Sequence, residues 1–348
     1  MADGVTRCRV VGKQKLSSRS LDSIEPVELG GLRQWIALRS QDTTKPILLF
    51  LHGGPGGARI ASSRKPQQEL EKDFIVVDWD QRGAGRSYSS ALNSDEMRIE
   101  LFVSDAEELA QILLRRFGQQ KLFLVGHSWG SVIGIQLAAR RPDLIAAYVG
   151  IGQVVDMMRG EEISYRFTLN EAKRRGVTKA VAQLTKIGAP PYTDHRAVVV
   201  QRKWLGRFGG QTHGGSTLGL MLKNLSWRDL SLFGVYGLIR GTVFSLKNLQ
   251  EQLNAVDILQ AAPELDMPVF FCCGRYDYTV PFELVTHYAA TLRAPKKTLV
   301  WFDRSAHSPN LEETLAFQRF CATYLTADIL APAKSHSNID DALVEITA

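Results

Sequence analysis

Cysteine is scarce in this chain: four residues in 348, at Cys8, Cys272, Cys273 and Cys321. None stands in a Cys-x-x-Cys or zinc-finger spacing, so neither a disulfide framework nor a zinc module is expected. Cys272 and Cys273 adjoin each other inside an apolar run, where buried free thiols are expected; this fits a reducing cytoplasm. No stretch approaches the ~18 apolar residues that a membrane span needs. The start, Met1 to Arg7, lacks the apolar centre of a secretory signal. The expectation is therefore a cytoplasmic protein with no membrane partner. Also missing are repeats, low-complexity tracts, and any basic stripe interleaved with aromatics, so nucleic acid is not an expected partner either.

What is present reads as globular. Apolar residues make up 45% and charged residues 22%, which excludes wholesale disorder. At 348 residues the chain exceeds the ~250–300 at which single cores stop growing, so one large domain with an insertion, or two domains, is expected. Formal net charge is +6, and its location is uneven. Residues 153–265 hold 15 Lys and Arg against 9 Asp and Glu, so the whole excess sits there. That excess reads either as a solvated helix face or as a surface attracting an anionic substrate or acidic partner.

Short apolar runs alternate with helical patterns, the mark of an α/β fold with a mostly parallel sheet. Strands are expected at residues 29–38, 47–51, 74–79, 122–125, 145–150, 269–273 and 299–302. Helices are expected to begin at a capping box, Ser104 to Glu107, and just after Ser128, with two more over 281–292 and 311–325. From about 154 to 263 the alternation gives way to helical patterns. The expected organisation is a first core segment over 1–152, a helical cap over 153–265, a second core segment over 266–326, and a polar tail over 327–348 with a helix at its end.

The strongest chemical signal is Gly126-His127-Ser128-Trp129-Gly130 between an apolar strand and a helix. A serine on such a tight strand-to-helix turn takes a strained backbone, and small neighbours let the turn close. Ser128 is thus the candidate nucleophile. A serine needs a base and the base an orienting acid, which in this architecture follow in the order Ser, acid, His. Asp277 stands just past the strand 269–273, and His307 just past 299–302, with one helix between them. His52 also follows a strand, but it precedes Ser128 and reads as a structural hydrogen-bonding residue. The glycine run His52-Gly53-Gly54-Pro55-Gly56-Gly57 suits an oxyanion hole, with the backbone N–H groups of Gly54 and Trp129 as donors. No Gly-Lys-Ser/Thr follows it, which excludes a phosphate loop. The segment Asp80-Gln81-Arg82-Gly83-Ala84-Gly85-Arg86-Ser87 reads, with Asp78, as a charge network shaping a loop beneath the site.

These four segments — the glycine run, residues 80–87, Ser128 to Ser131, and Gly274-Arg275-Tyr276-Asp277 — resemble in order and spacing those of the α/β-hydrolase superfamily. Within it, the chain is most similar to the prolyl aminopeptidase (proline iminopeptidase) family, over about residues 30–325. The resemblance implies an eight-stranded core, a helical cap over the pocket, a Ser-Asp-His triad and no cofactor. It also implies cap glutamates reading a free N-terminal amine. The family's late cap acid is absent from Arg240-Gly241-Thr242-Val243-Phe244, and His127 replaces a glycine usual before the serine. Candidate substrate contacts are Gly53, Glu161 and Glu162, with Glu251 as a further acid.

The function expected is a serine hydrolase of an amide or ester, acting on a small molecule or short peptide. Alternatives are a small-molecule esterase, lactonase or amidase, an acyl-transferring cyclase, and a ligand receptor on a retired hydrolase fold. Of the nine cap aromatics (Tyr165, Phe167, Tyr192, Trp204, Phe208, Trp227, Phe233, Tyr236 and Phe244), most are expected in packing and a few in the pocket wall.

Overall fold

The structure, a computed structural model, describes residues 19–325 and 343–348. The first pairing is a hairpin, β1 (Leu21–Leu29) with β2 (Leu32–Ser40). Gly30 and Gly31, at φ +55° and +72°, make its two-residue turn, since both central positions of a hairpin turn of this kind need positive φ. The single strand expected over 29–38 thus straddles this turn and is corrected to two strands. The Gly-Gly pair was the signal for it.

Seven further strands follow: β3 (Ile47–Leu51), β4 (Ile75–Asp80), β5 (Leu122–His127), β6 (Ile145–Ile151), β7 (Val269–Gly274), β8 (Lys297–Phe302) and β9 (Leu343–Thr347). They form one sheet of nine strands in the order β1-β2-β4-β3-β5-β6-β7-β8-β9. β2 runs antiparallel to both neighbours, and from β4 to β9 all pairings are parallel. Every residue of β3, β4, β7 and β8 is buried, as continuous apolar runs require when helices cover both faces. The two-residue side-chain period splits them between two cores, Leu49 and Leu51 on one face, Leu48 and Phe50 on the other.

β9 corrects two expectations. The end of the chain is a strand beside β8, not a helix, and it makes the sheet nine-stranded where the resemblance implied eight. Pairing with β8 satisfies an edge that would otherwise be open, and Glu345 accepts a hydrogen bond from the Trp301 indole at 3.1 Å. The rest of the expected tail, 326–342, lies outside the described residues, as does Cys8.

The core helices are α1 (Ile60–Gln67), α2 (Ile99–Phe117) and α3 (Trp129–Arg140). Between β6 and β7 the described chain forms helices only: α4 (Met157–Arg174), α5 (Thr178–Ile187), α6 (His195–Arg207), α7 (Thr217–Asn224), α8 (Leu232–Asn254) and α9 (Ile258–Ala261). Asp156, Asp194, Ser216, Ser231 and Asp257 each cap one of them with a side-chain oxygen. After β7 come α10 (Phe282–Thr291), α11 (Pro309–Glu312) and α12 (Thr314–Phe320).

Two helix starts differ from expectation. α2 begins five residues before the expected capping box, which lies inside the helix. Phe102 and Val103 extend its buried stripe, and the Ile99 N–H is capped by Gln252 of α8 at 3.0 Å, a partner 153 residues away. The single helix expected over 311–325 is instead α11, α12 and a π turn, Cys321–Leu325. It breaks because Glu312 and Glu313 reach back to the loop before them, as described below.

α8 lies directly on the residue 80–87 loop. A Cβ on Gly237 would fall 1.8 Å from the carbonyl oxygen of Gly85, and one on Gly241 2.2 Å from that of Gly83. Only a helix bare at these two positions, one turn apart, can sit there. Thr242 adds a hydroxyl hydrogen bond to the Gly56 carbonyl at 3.0 Å.

Candidate active site

β5 delivers Ser128 to the carboxyl edge of the sheet, and α3 begins at the next residue. Ser128 has φ 54° and ψ −120°; among the described residues it is the one non-glycine at positive φ. Such a conformation costs ~1–3 kcal/mol and survives only when the surroundings impose it. The imposition is visible. The Ser128 N–H donates to Ile151 on β6 at 2.9 Å, and its carbonyl accepts from the Ser131 N–H at 2.8 Å and hydroxyl at 2.6 Å. Gly130 lies so close to β3 that a Cβ would be 2.2 Å from the Leu51 carbonyl oxygen.

Asp277 and His307 come together from the loops after β7 and β8. The carboxylate is 2% exposed and fully engaged. One oxygen accepts from the Thr279 and Val280 N–H groups, each at 2.9 Å. The other lies 2.9 Å from His307 Nδ1. A carboxylate can only accept here, so Nδ1 carries a proton, and in the neutral ring Nε2 is the acceptor. The histidine loop is held from behind. Glu313 accepts from the Arg304 N–H at 2.9 Å and the Ser305 hydroxyl at 2.7 Å, and Glu312 from the Ser308 N–H at 2.9 Å. Burial raises the Glu312 pKa.

Ser128 and His307 line the same cavity. Among the described residues the Ser128 hydroxyl forms no hydrogen bond, so it is unengaged by the protein at the cavity wall. Gly53, Gly54 and Trp129 line the cavity beside the serine. Trp129 is the first residue of α3, so its N–H has no acceptor within the helix. Its indole donates to Gln81 at 2.9 Å, and Gln81 in turn donates to the His52 carbonyl at 3.1 Å, tying the glycine run to the elbow.

His52 is buried with both ring nitrogens used: Nδ1 lies 2.8 Å from the Gly53 carbonyl, and Nε2 accepts from the Gln81 N–H at 3.2 Å. Burial depresses its pKa to about 4, so it stays neutral and structural, as its position in the sequence suggested. His127, the histidine that replaces a glycine before the serine, has a place in the site. It lines the cavity, its Nε2 is 3.1 Å from the His307 carbonyl oxygen, and its ring is 5.1 Å from the His307 ring. Burial, then the His307 and Arg59 charges, push its pKa well down.

The residue 78–87 charges do not pair with one another. Arg82 is bidentate on Asp105 at 2.7 and 2.8 Å, and Asp78 meets Arg39 at 3.3 Å. Asp80 accepts from the N–H groups of Arg59, Ile60 and Arg86. The network fixes the loop on which α8 rests.

The cavity measures about 520 Å³. Its wall is largely aliphatic, with Leu220, Met221, Leu238 and Leu246 from the inserted helices. None of the nine cap aromatics lines it, against expectation. Several serve as seams instead: Phe167 stacks on Tyr278 at 3.7 Å, and Tyr236 and Phe244 meet Tyr88 edge-on, while Trp227 and Phe233 are exposed. Of the basic residues in 153–265, Arg202 alone lines the cavity, and it is paired with Glu161. Glu162 and Glu251 are exposed and outside the wall, so of the acids expected as substrate contacts only Glu161 arrives, already neutralised. A second cation, Arg59, was not foreseen there.

Comparison with known proteins places this geometry. A family model described as alpha/beta hydrolase fold matches residues 46–314. The chain belongs to the α/β-hydrolase fold family. Among α/β hydrolases, it is 34% identical over 303 residues to the Bacillus subtilis protein named Probable aminopeptidase YbaC, covering 86% of this chain and 95% of that one. It is 24% identical to a proline iminopeptidase of Heyndrickxia coagulans, over 76% of this chain and 85% of that one. A solved proline iminopeptidase from Mycobacterium smegmatis shares the fold, with a TM-score of 0.63 at 16% identity over 88% of this chain and 99% of that one. Among the described residues no helix is long and apolar enough to cross a membrane.

Proposed function

We propose that this α/β hydrolase opens an amide or ester through an acyl-enzyme on Ser128, with His307 as base and Asp277 as its orienting acid. The observation that carries the reading is the 2.9 Å contact of His307 Nδ1 with the buried Asp277 carboxylate, on the cavity that holds the Ser128 elbow. Asp277 keeps the imidazole proton on Nδ1, so Nε2 can take the Ser128 proton as the oxygen attacks the substrate carbonyl. The Gly54 and Trp129 N–H groups receive the developing oxyanion, each worth ~3–4 kcal/mol of barrier. His307 then gives its proton to the leaving amine or alcohol. Water, activated by the same imidazole, attacks the acyl-enzyme and restores Ser128.

An aminopeptidase-like reaction on a short peptide or amide is supported by the relative 34% identical to this chain. A small-molecule esterase or amidase is the second reading. It is favoured by the Glu161–Arg202 pair, which leaves no free cavity carboxylate among the described residues to greet a substrate ammonium. Three buried free thiols fit a cytoplasmic setting. A fluorophosphonate probe should add its mass at Ser128, and Ser128→Ala should abolish the adduct. No adduct on the wild-type chain overturns the reading. Turnover of proline 4-nitroanilide against 4-nitrophenyl acetate then separates the two subclasses.

A further inference from the structure

We propose that Arg59 is an anion anchor in the wall of this cavity and that the substrate carries a carboxylate which docks on its guanidinium. The backbone of Arg59 is fixed: its N–H donates to Asp80 at 3.2 Å, and the next N–H, of Ile60, to the same oxygen at 3.3 Å. Its side chain joins the wall that also contains Ser62, Asn224 and Ser128, and the residue is 8% exposed.

What sets Arg59 apart is the lack of a counter-ion. The other two fully buried arginines have theirs, Arg39 in Asp78 and Asp229, and Arg82 in Asp105. Among the described residues the Arg59 guanidinium makes no ion pair and no hydrogen bond, and its Nη2 is buried without an acceptor. It rests against the Phe50 ring, 5.8 Å from the centroid. The two carboxylates nearby are committed elsewhere: Asp80 to backbone N–H groups, and Asp78 to Arg39 and Gln67. Its charge is close enough to both His52 and His127 to help keep them neutral.

A guanidinium out of water and unpaired is unfavourable, and a carboxylate supplies the planar, two-oxygen partner that its donor fork fits. Because Arg202 is paired with Glu161, Arg59 is the wall cation without an ion-pair partner among the described residues, with the Asp78 charge acting on it only from a distance. The cavity therefore favours a substrate that carries a carboxylate.

That the anchored group is a substrate rests on the reading of Ser128 as nucleophile, but anion binding can be measured without turnover. Ser128→Ala protein is titrated calorimetrically with 4-nitrophenyl hemiglutarate and with 4-nitrophenyl valerate, its uncharged counterpart. The anionic ester should bind at least about tenfold more tightly. Adding Arg59→Met should remove that preference, and adding Arg59→Lys should keep part of it. Equal affinities in the Ser128→Ala protein overturn the proposal. So does a loss in Arg59→Met that is the same for both esters, the signature of a merely structural role. If Arg59→Met does not fold, the Ser128→Ala comparison and the Arg59→Lys variant decide alone. A persisting anionic preference in a chain whose wild type takes no fluorophosphonate adduct at Ser128 would sink the hydrolase reading and leave the anion site standing.

Discussion

Asp277→Asn separates the orienting role proposed for this carboxylate from its structural one. In the wild type one oxygen holds the Thr279 and Val280 N–H groups at 2.9 Å each, and the other holds His307 Nδ1 at 2.9 Å. An asparagine can keep the first pair with its carbonyl oxygen. Its amide NH₂ then faces His307 and must donate, so the imidazole proton moves to Nε2, the nitrogen that has to accept the Ser128 proton. All three contacts can persist, with charge-assisted bonds replaced by neutral ones, so unfolding stability should fall by only about 1–2 kcal/mol. Turnover should fall by about 10⁴, which is about 5.4 kcal/mol of barrier, with KM little changed. The assay is the rate of fluorophosphonate adduct formation beside a urea unfolding curve. Labelling at the wild-type rate by a folded Asp277→Asn protein would refute the reasoning, because it would mean that His307 does not act through the Asp277 contact.

Other consequences can be measured on the same protein. Ser128→Gly should be more stable than Ser128→Ala by ~1–2 kcal/mol in urea unfolding, since glycine tolerates the φ of 54° and alanine does not; equal midpoints would mean that the elbow is unstrained. Gly237→Ala should lower stability by ~1–3 kcal/mol and change substrate selectivity, because its Cβ would stand 1.8 Å from the Gly85 carbonyl oxygen and α8 must lift; an unchanged melting curve would contradict the seating of α8. Burial pushes the Asp80 carboxyl up to about 6 from 3.8, so its contribution to stability is full below 3.8 and is lost as pH rises through about 6. Asp80→Asn should flatten that part of the stability profile, read by urea unfolding near pH 4 and near pH 7; a slope identical to wild type would count against it.

The positions of the three residues proposed for catalysis were legible because each is tied to a local pattern. An apolar strand running into Gly-x-Ser-x-Gly and a helix leaves few backbone paths, and Ser128 sits on the strained one. Asp277 and His307 follow β7 and β8 at their carboxyl ends, where parallel α/β sheets gather their ligands. The two-residue turn at Gly30-Gly31, both at positive φ, is equally local and splits the strand expected over 29–38. Other departures had no local signal. α2 starts at Ile99 because Gln252, 153 residues on, caps it. The helix expected over 311–325 breaks because Glu312 and Glu313 bind the histidine loop instead of continuing the helical face.

By itself the amino-acid sequence determined the α/β alternation, the elbow and the places of Asp277 and His307 after their strands, since periodicity and turn chemistry act over a few residues. Tertiary structure decided the character of the pocket. Whether Glu161 is a free acid or the partner of Arg202, whether the cap aromatics face substrate or seams, and whether Arg59 has a counter-ion all depend on which distant side chains end within a few ångströms of each other. Charge and burial are properties of that neighbourhood, and no residue carries its neighbourhood in its name.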